Sequence, residues 1–535
     1  KTVKHQTNKR EMKKIFTWML CAAIAAGFAG CSDYDDSALW KEIDQIKQEQ
    51  EQLDLALEAL ESAVQQGALV TEIEQTADGY RIKLSDGKSY DLKQGDALLK
   101  DVVVEEGTVT LVLDGEKRIE LPLAARTLLA FDEKVVTLRP EEVREVSFRA
   151  EGLETLILGD EPKDFAVELD AGNKVLRITA PAGMGMREGG DDHVLLLGAD
   201  AEGHTLMAML TVRFNPLPAE GGILVLNEGQ FGKDPASVCI YNGSDWTNYA
   251  FRYCNPEHKL GLTGTMTARH NGSFYFVSKN EPFVTEASAD DLAFRSSLSD
   301  KTIYGQGRSI AVYDDKKAYF SAMNGLFEVG IAPLADGKRV FESKNGGGDV
   351  AVADGKVYFI DKKKLYVYDP ATGAAPEEIG AAQTGFAAGE GTLWCGNATT
   401  LTRIDTRTAT ASTFPLGEET KLWANSTYAP SQIAGGGSKV FYLSGSGWSS
   451  KTVCAFDTAT GTSELFWSVP EGNECYGSGL AYDSATDRLY VTYVESGYGD
   501  HYKVTHIAVL NSAGSVLETI DYSGHFWFPS KVFVL

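Results

Sequence analysis

Apolar side chains recur between residues 37 and 66 at alternating steps of three and four. Leu39, Ile46, Leu53 and Leu60 share one heptad position, and Ile43, Gln50, Leu57 and Val64 share the other. That period predicts a helix with a coiled-coil seam, and so a homo-oligomer, with Gln50 as the polar break. Ala56 and Ala63 flank the seam and widen it. The competing reading is a single helix lying on its own protein.

After Gly67 the period falls to two. Alternating runs separated by Asp78-Gly79, Asp86-Gly87 and Asp114-Gly115 predict a β-hairpin module over 67–124. Asp-Gly suits hairpin turns because both positions tolerate positive φ. Residues 125–217 carry further short strands at Val135–Leu138, Val146–Arg149, Ala166–Leu169, Val175–Thr179, His193–Ala199 and Leu206–Phe214. Their spacing predicts an immunoglobulin-like β-sandwich. Pro216-Leu217-Pro218 and Gly221-Gly222 read as a linker.

From 222 to 535 two units alternate. One is a hairpin around a tight polar turn, as at Asn271-Gly272, Asp354-Gly355 and Glu390-Gly391. The other is a strand running into an Asp- or Asn-opened turn, as at Asp369 to Gly373, Asp405 to Ala409 and Asp457 to Gly461. An Asp opening such a turn bonds its own backbone two residues on. Each pair gives four strands, and the count predicts a seven-bladed β-propeller over 222–535. Residues 529–535 read as the first strand of a blade completed by 223–226, 237–241 and 247–251, which closes the ring. The expected fold is therefore mainly β, with the helix, hairpin module and sandwich preceding the propeller.

Composition narrows the partners. Lys and Arg number 50 against 75 Asp and Glu, a formal charge of −25. Such a surface repels phosphate backbones, so nucleic acid is not an expected partner. Of seven cysteines, Cys21 and Cys31 lie near the start. The other five have neither a disulfide-framework nor a zinc spacing, though Cys239 and Cys254 could meet on neighbouring strands.

Residues 1–30 read as an upstream extension and an export signal. Met12 reads as the start, Lys13-Lys14 as a basic head, Ile15 to Phe28 as a short apolar run, and Ala29-Gly30 as the small residues before a cut. Cys31 directly after Ala-Gly resembles the bacterial lipobox, which implies a lipid anchor on Cys31 in the outer membrane. Residues 31–36 form an acidic linker; Ser32-Asp33-Tyr34-Asp35-Asp36 resembles the signal that sends Bacteroidota-type lipoproteins to the outer face of the outer membrane. The coil with Asp-Gly hairpins likewise resembles an N-terminal spacer module of surface lipoproteins.

Candidate chemistry gathers in the loops between second and third strands and between blades. Asn227, Phe231, Asn280, Phe283, Tyr304, Arg308, Trp423, Tyr428, Trp448, Tyr476, Tyr498, His501, Phe526 and Trp527 are the expected ligand contacts. Rings beside Asn, Gln and Ser suit a large, partly apolar ligand or a glycan. The sequence holds no His-Glu-x-x-His, Gly-x-Ser-x-Gly or Cys-x-x-Cys, so no catalytic residue, metal site or required cofactor is expected.

Gly222 to Gly232, reading Gly-Ile-Leu-Val-Leu-Asn-Glu-Gly-Gln-Phe-Gly, resembles the opening of a lipoprotein propeller family. That family includes the cobalamin-capture proteins of BtuG type, which sit over TonB-dependent transporters. The resemblance covers 222–535 and implies a non-enzymatic surface protein that hands a scarce nutrient, such as a corrinoid, to a transporter. The coil and sandwich before the propeller depart from that family. Two other expectations stand beside it: a glycan-binding or glycan-cleaving propeller, and a stalked adhesion or scaffold protein.

Overall fold

The computed structural model describes residues 37–94, 99–105, 108–113, 117–123, 127–160, 162–185, 190–201, 203–424, 432–446, 449–476, 479–497, 499–525 and 527–535. The expected export signal and Cys31 lie outside them, as do Tyr428, Trp448, Tyr498 and Phe526.

The helix α1 spans Ser37–Gln65. Two three-stranded antiparallel sheets follow it. Val70–Thr76, Gly79–Leu84 and Ser89–Lys93 form the first; Leu99–Glu105, Thr108–Leu113 and Arg118–Pro122 form the second. The period-two runs place Ile82, Leu92, Val109, Leu111, Ile119 and Leu121 in one core. Leu53, Leu57, Leu60 and Ala63 of α1 belong to that same core. The C-terminal half of the heptad seam is thus covered by the chain's own strands, because hydrophobic burial is satisfied locally before any second helix is needed. Ile46, on the N-terminal half, stays 49% exposed.

Two four-stranded sheets come next. One runs in the order Thr155–Asp160, Asp192–Ala199, Thr205–Phe214, Val135–Leu138. The other runs Ala166–Asp170, Val175–Thr179, Val143–Glu151, Leu128–Phe131. Two of these strands carry no clear alternation in the sequence: Thr155–Asp160 is mostly exposed, and Leu128–Phe131 is four apolar residues long. The expected linker is not free. Asn215, Pro216 and Leu217 are buried, and the Asn215 amide donates to the Asp290 carbonyl at 2.6 Å.

Residues from Ile223 onward form five separate four-stranded antiparallel sheets and one nine-stranded sheet among the described residues. In the latter, Asn473–Tyr476 links two four-strand meanders by pairing with Ser449–Asp457 and with Arg488–Glu495. The expected turn chemistry is present. Asn271 and Gly272, and Asp354 and Gly355, all take positive φ. The Asp405 carboxylate accepts from the amides of Arg407 and Thr408, and Asp457 accepts from those of Ala459 and Thr460. These bonds hold both carboxyls below their ordinary range. Gly389 and Gly436 are glycines for a steric reason: a Cβ on Gly389 would lie 2.0 Å from the Gly436 carbonyl.

Pro529–Val534 pairs antiparallel with Ile223–Asn227, placing Leu224 opposite Phe533 and Val225 opposite Val532. This is the closing strand the sequence predicts. The expected fourth strand at 247–251 is corrected. The strand stops at Thr247, Tyr249 turns the chain with φ 53°, and α2 spans Ala250–Cys254. Cys254 therefore sits on a helix, and it and Cys239 are both free thiols.

Candidate functional site

In an antiparallel four-stranded sheet, the turn between strands two and three and the entry to strand one lie at the same end. The loops expected to bind ligand therefore share one end of these sheets. Their side chains divide into two groups.

Several are packing residues. Phe283 and Tyr304 are fully buried with ring centroids 6.0 Å apart, and the Tyr304 hydroxyl donates to Asp336 Oδ1 at 2.8 Å. Trp423 is buried in the core beneath Leu443 and Val453. Trp527 is buried and stacks on Tyr522 at 5.1 Å. Asn227 is buried as well, and its amide donates to the Tyr522 hydroxyl at 2.6 Å. A loop position says where the backbone runs, while ring burial is decided by the next sheet's surface. Arg308 is also buried, donating to the Gly307 carbonyl at 3.0 Å and Gln306 Oε1 at 3.1 Å. His501 is exposed and held by Glu495 Oε2 at 2.8 Å.

The second group gathers around one exposed ring. Phe231 is 74% exposed, with the Lys279 ammonium 5.4 Å from its ring centroid. Lys279 and Asn280 are half-buried on the next sheet's turn. A strained corner positions them. Thr263, buried and β-branched, takes φ 62°, and its carbonyl accepts the Lys279 N–H at 2.8 Å. A β-branched residue there is an outlier that surrounding structure must hold in place.

Glu228 lies beside them, although it was not among the residues singled out from the sequence. Its desolvation raises the carboxyl to about 8, against the opposing pull of Lys279. Lys279 is in turn lowered by desolvation and by Arg308. The Glu228 N–H donates to the Phe528 carbonyl at 3.0 Å. Phe528, with φ 42°, packs its ring 5.0 Å from Tyr476 and 5.3 Å from Tyr502. Tyr476 and Tyr502 are 5.1 Å apart, and all three rings are half-buried. A desolvated carboxyl, a cation, an exposed ring and a three-ring cluster thus adjoin one another. Perturbed titration and strain together mark functional positions. The motif Asn227-Glu228-Gly229 held the signal for Glu228; nothing in the sequence signalled Phe528. Among the described residues no cluster of three or more metal-ligating side chains occurs, and no helix is long and apolar enough to cross a membrane.

The profile of DUF5074, a domain of unknown function, matches residues 221–534. The chain belongs to the DUF5074 family. No protein with a curated description matches it. Among solved structures, this DUF5074 chain is similar to a quinonprotein alcohol dehydrogenase-like protein from Bacteroides thetaiotaomicron. The two share 14% identity over 75% of this chain and 96% of the other, with a TM-score of 0.51. An auxiliary nutrient binding protein from the same organism matches at 11% identity over 68% and 94%, with a TM-score of 0.31. BamB from Moraxella catarrhalis matches at 15% over 57% and 88%, with a TM-score of 0.33. At these identities the likeness concerns fold alone, and the fold is mainly β and propeller-like.

Proposed function

We propose that this DUF5074 chain is a lipid-anchored binding protein of the outer-membrane surface. Its sheets from Ile223 onward form a seven-bladed propeller, the two preceding sheets an immunoglobulin-like sandwich, and the exposed half of the α1 seam a coiled-coil contact. The propeller captures an extracellular ligand on its loop end and passes it to a TonB-dependent transporter, a corrinoid being the first ligand to test.

The observation that carries this reading is the cluster of Lys279, Glu228, Tyr476, Tyr502 and Phe528 beside the exposed Phe231 ring. Exposed and half-buried rings supply flat apolar area, and the enclosed polar groups fix orientation. A protonated Glu228 and the Lys279 ammonium both donate, which suits a ligand rich in carbonyl oxygens. Titrating cyanocobalamin into the purified protein by calorimetry tests it. Saturable heat that weakens in F231A is expected; no saturable heat from any corrinoid sinks the corrinoid assignment. The ring cluster also suits stacking on sugars, so a glycan array is the parallel experiment, and a glycan hit with no corrinoid binding moves the reading to a glycan-binding protein.

A further inference from the structure

Asn-Gly occurs four times in the chain, at Asn242, Asn271, Asn324 and Asn345. The pair is chemically labile, because the nitrogen of a residue without a Cβ is unshielded and can attack the preceding side-chain amide. The attack needs a glycine N–H without a partner, an asparagine side chain able to turn, and a backbone that opens locally. The fold meets these needs unequally.

Three of the pairs are held. Asn242 Oδ1 accepts from the N–H groups of Ser244 at 3.0 Å and Asp245 at 2.8 Å, and its Nδ2 donates to the Ala182 carbonyl at 2.7 Å. Asn324 is half-buried and donates to the Ile303 carbonyl at 2.9 Å, while Gly325 is buried in a ladder between Ala322 and Glu342. Asn345 is exposed, but Gly346 is buried, and its N–H donates to the Met323 carbonyl at 3.0 Å.

Asn271-Gly272 differs from all three. Both residues are exposed, and they form the turn between Gly264–His270 and Ser273–Ser278 with φ 44° and 73°. Among the described residues the Gly272 N–H has no acceptor, and a Cβ on Gly272 would meet only open space. The Asn271 amide makes one bond, from Nδ2 to Asp315 Oδ1 at 2.7 Å. Asp315 lies on the turn of the next sheet, between Gly307–Val312 and Lys317–Ala322, and His270 Nε2 stands 2.8 Å from the same oxygen. The Asp315 side chain is 72% exposed, so this single restraint competes with water.

We propose that Asn271 is a site of spontaneous self-modification, a deamidation whose pace Asp315 sets. The Gly272 nitrogen gives up its proton and attacks Asn271 Cγ. The new C–N bond closes a five-membered imide, and the Cγ–Nδ2 bond breaks as Nδ2 takes a proton and leaves as ammonia. Water then opens either imide carbonyl to give aspartate or isoaspartate, and nothing is oxidised or reduced. Either product sets a carboxylate where an amide donor faced Asp315, so the link between the two sheets is lost. Isoaspartate also adds a backbone carbon to a turn whose length pairs His270 with Ser273 and offers the Gly272 carbonyl to the Ala289 N–H.

Peptide mapping by mass spectrometry tests the site, on the full chain aged in mildly alkaline buffer beside a sample unfolded in urea. All four pairs should convert at comparable rates when unfolded. In the folded chain, conversion at Asn271 should exceed that at each of the other three by about fivefold or more, because only this turn is open to attack. D315A should speed conversion at Asn271, and N271Q should remove the main acidic species seen by ion exchange. Asn345 converting as fast as Asn271 in the folded chain, an Asn271 rate unchanged in D315A, or a main acidic species that persists in N271Q overturns the proposal.

Discussion

Glu228 is held where its charged form is disfavoured, one residue from a buried asparagine and beside a lysine whose ammonium sits near an exposed ring. The sign of its effect on stability follows. The unfolded carboxyl ionises near pH 4–5 while the folded one keeps its proton to about 8, so the folded state binds more protons between those values. Stability from this group is present at low pH and is lost as pH rises toward about 8, by up to ~1.4 kcal/mol per pH unit. E228Q removes that slope, and urea unfolding at pH 5 and pH 8.5 reads it. A steeper loss in the variant than in the parent would contradict the assignment. Phe231 behaves differently because it is exposed: F231A should change unfolding stability by less than ~0.5 kcal/mol. On the proposed ligand it should cost about tenfold or more in affinity. Residue roles were the least legible part of the sequence. Phe283, Tyr304 and Trp527 share loop positions with Phe231, yet the face a ring presents is set by contacts with strands far off in the chain. Glu228 was written beside Asn227, but its backbone is held by Phe528, some three hundred residues on.

Elements were far more legible, since period and turn chemistry are local. The Asp-opened turns and the Asn-Gly and Asp-Gly hairpins formed where the residues dictated. The sequence is ambiguous where a local pattern has two physical outlets. The α1 heptads fit either a second helix or the chain's own sheets, and the sheets took Leu53, Leu57 and Leu60. L60A should therefore destabilise the N-terminal residues by about 2–5 kcal/mol whatever the oligomeric state. I46A should leave stability within ~0.5 kcal/mol in dilute monomer and weaken any self-association, which sedimentation measures. Tyr249 is the other case: a left-handed residue ends a run whose hydrophobic pattern alone continues as strand.

For the whole molecule, the proposed anchor and the formal charge of −25 act together. A lone acyl chain binds membranes only marginally, so the anchor proposed at Cys31 needs more than one chain to hold a protein of this charge. C31A should move the protein from the membrane fraction to the soluble fraction without altering ligand titrations; retention in the membrane fraction would show a different attachment. Removing residues 529–535 tests the ring. It bares one edge of Ile223–Asn227, and a loss of about 3 kcal/mol or more in stability is expected by calorimetry.

The pairing of Pro529–Val534 with Ile223–Asn227 also sets a timetable. Ser530 donates to the Leu226 carbonyl across 304 residues of chain. Contacts of that separation form late, because a long loop must close before they stabilise anything. While the protein is being made, Ile223–Asn227 waits without this neighbour until the intervening residues have emerged. The fold is thus completed in one late step, and a chain interrupted anywhere before Pro529 carries an unpaired strand edge that marks it as unfinished.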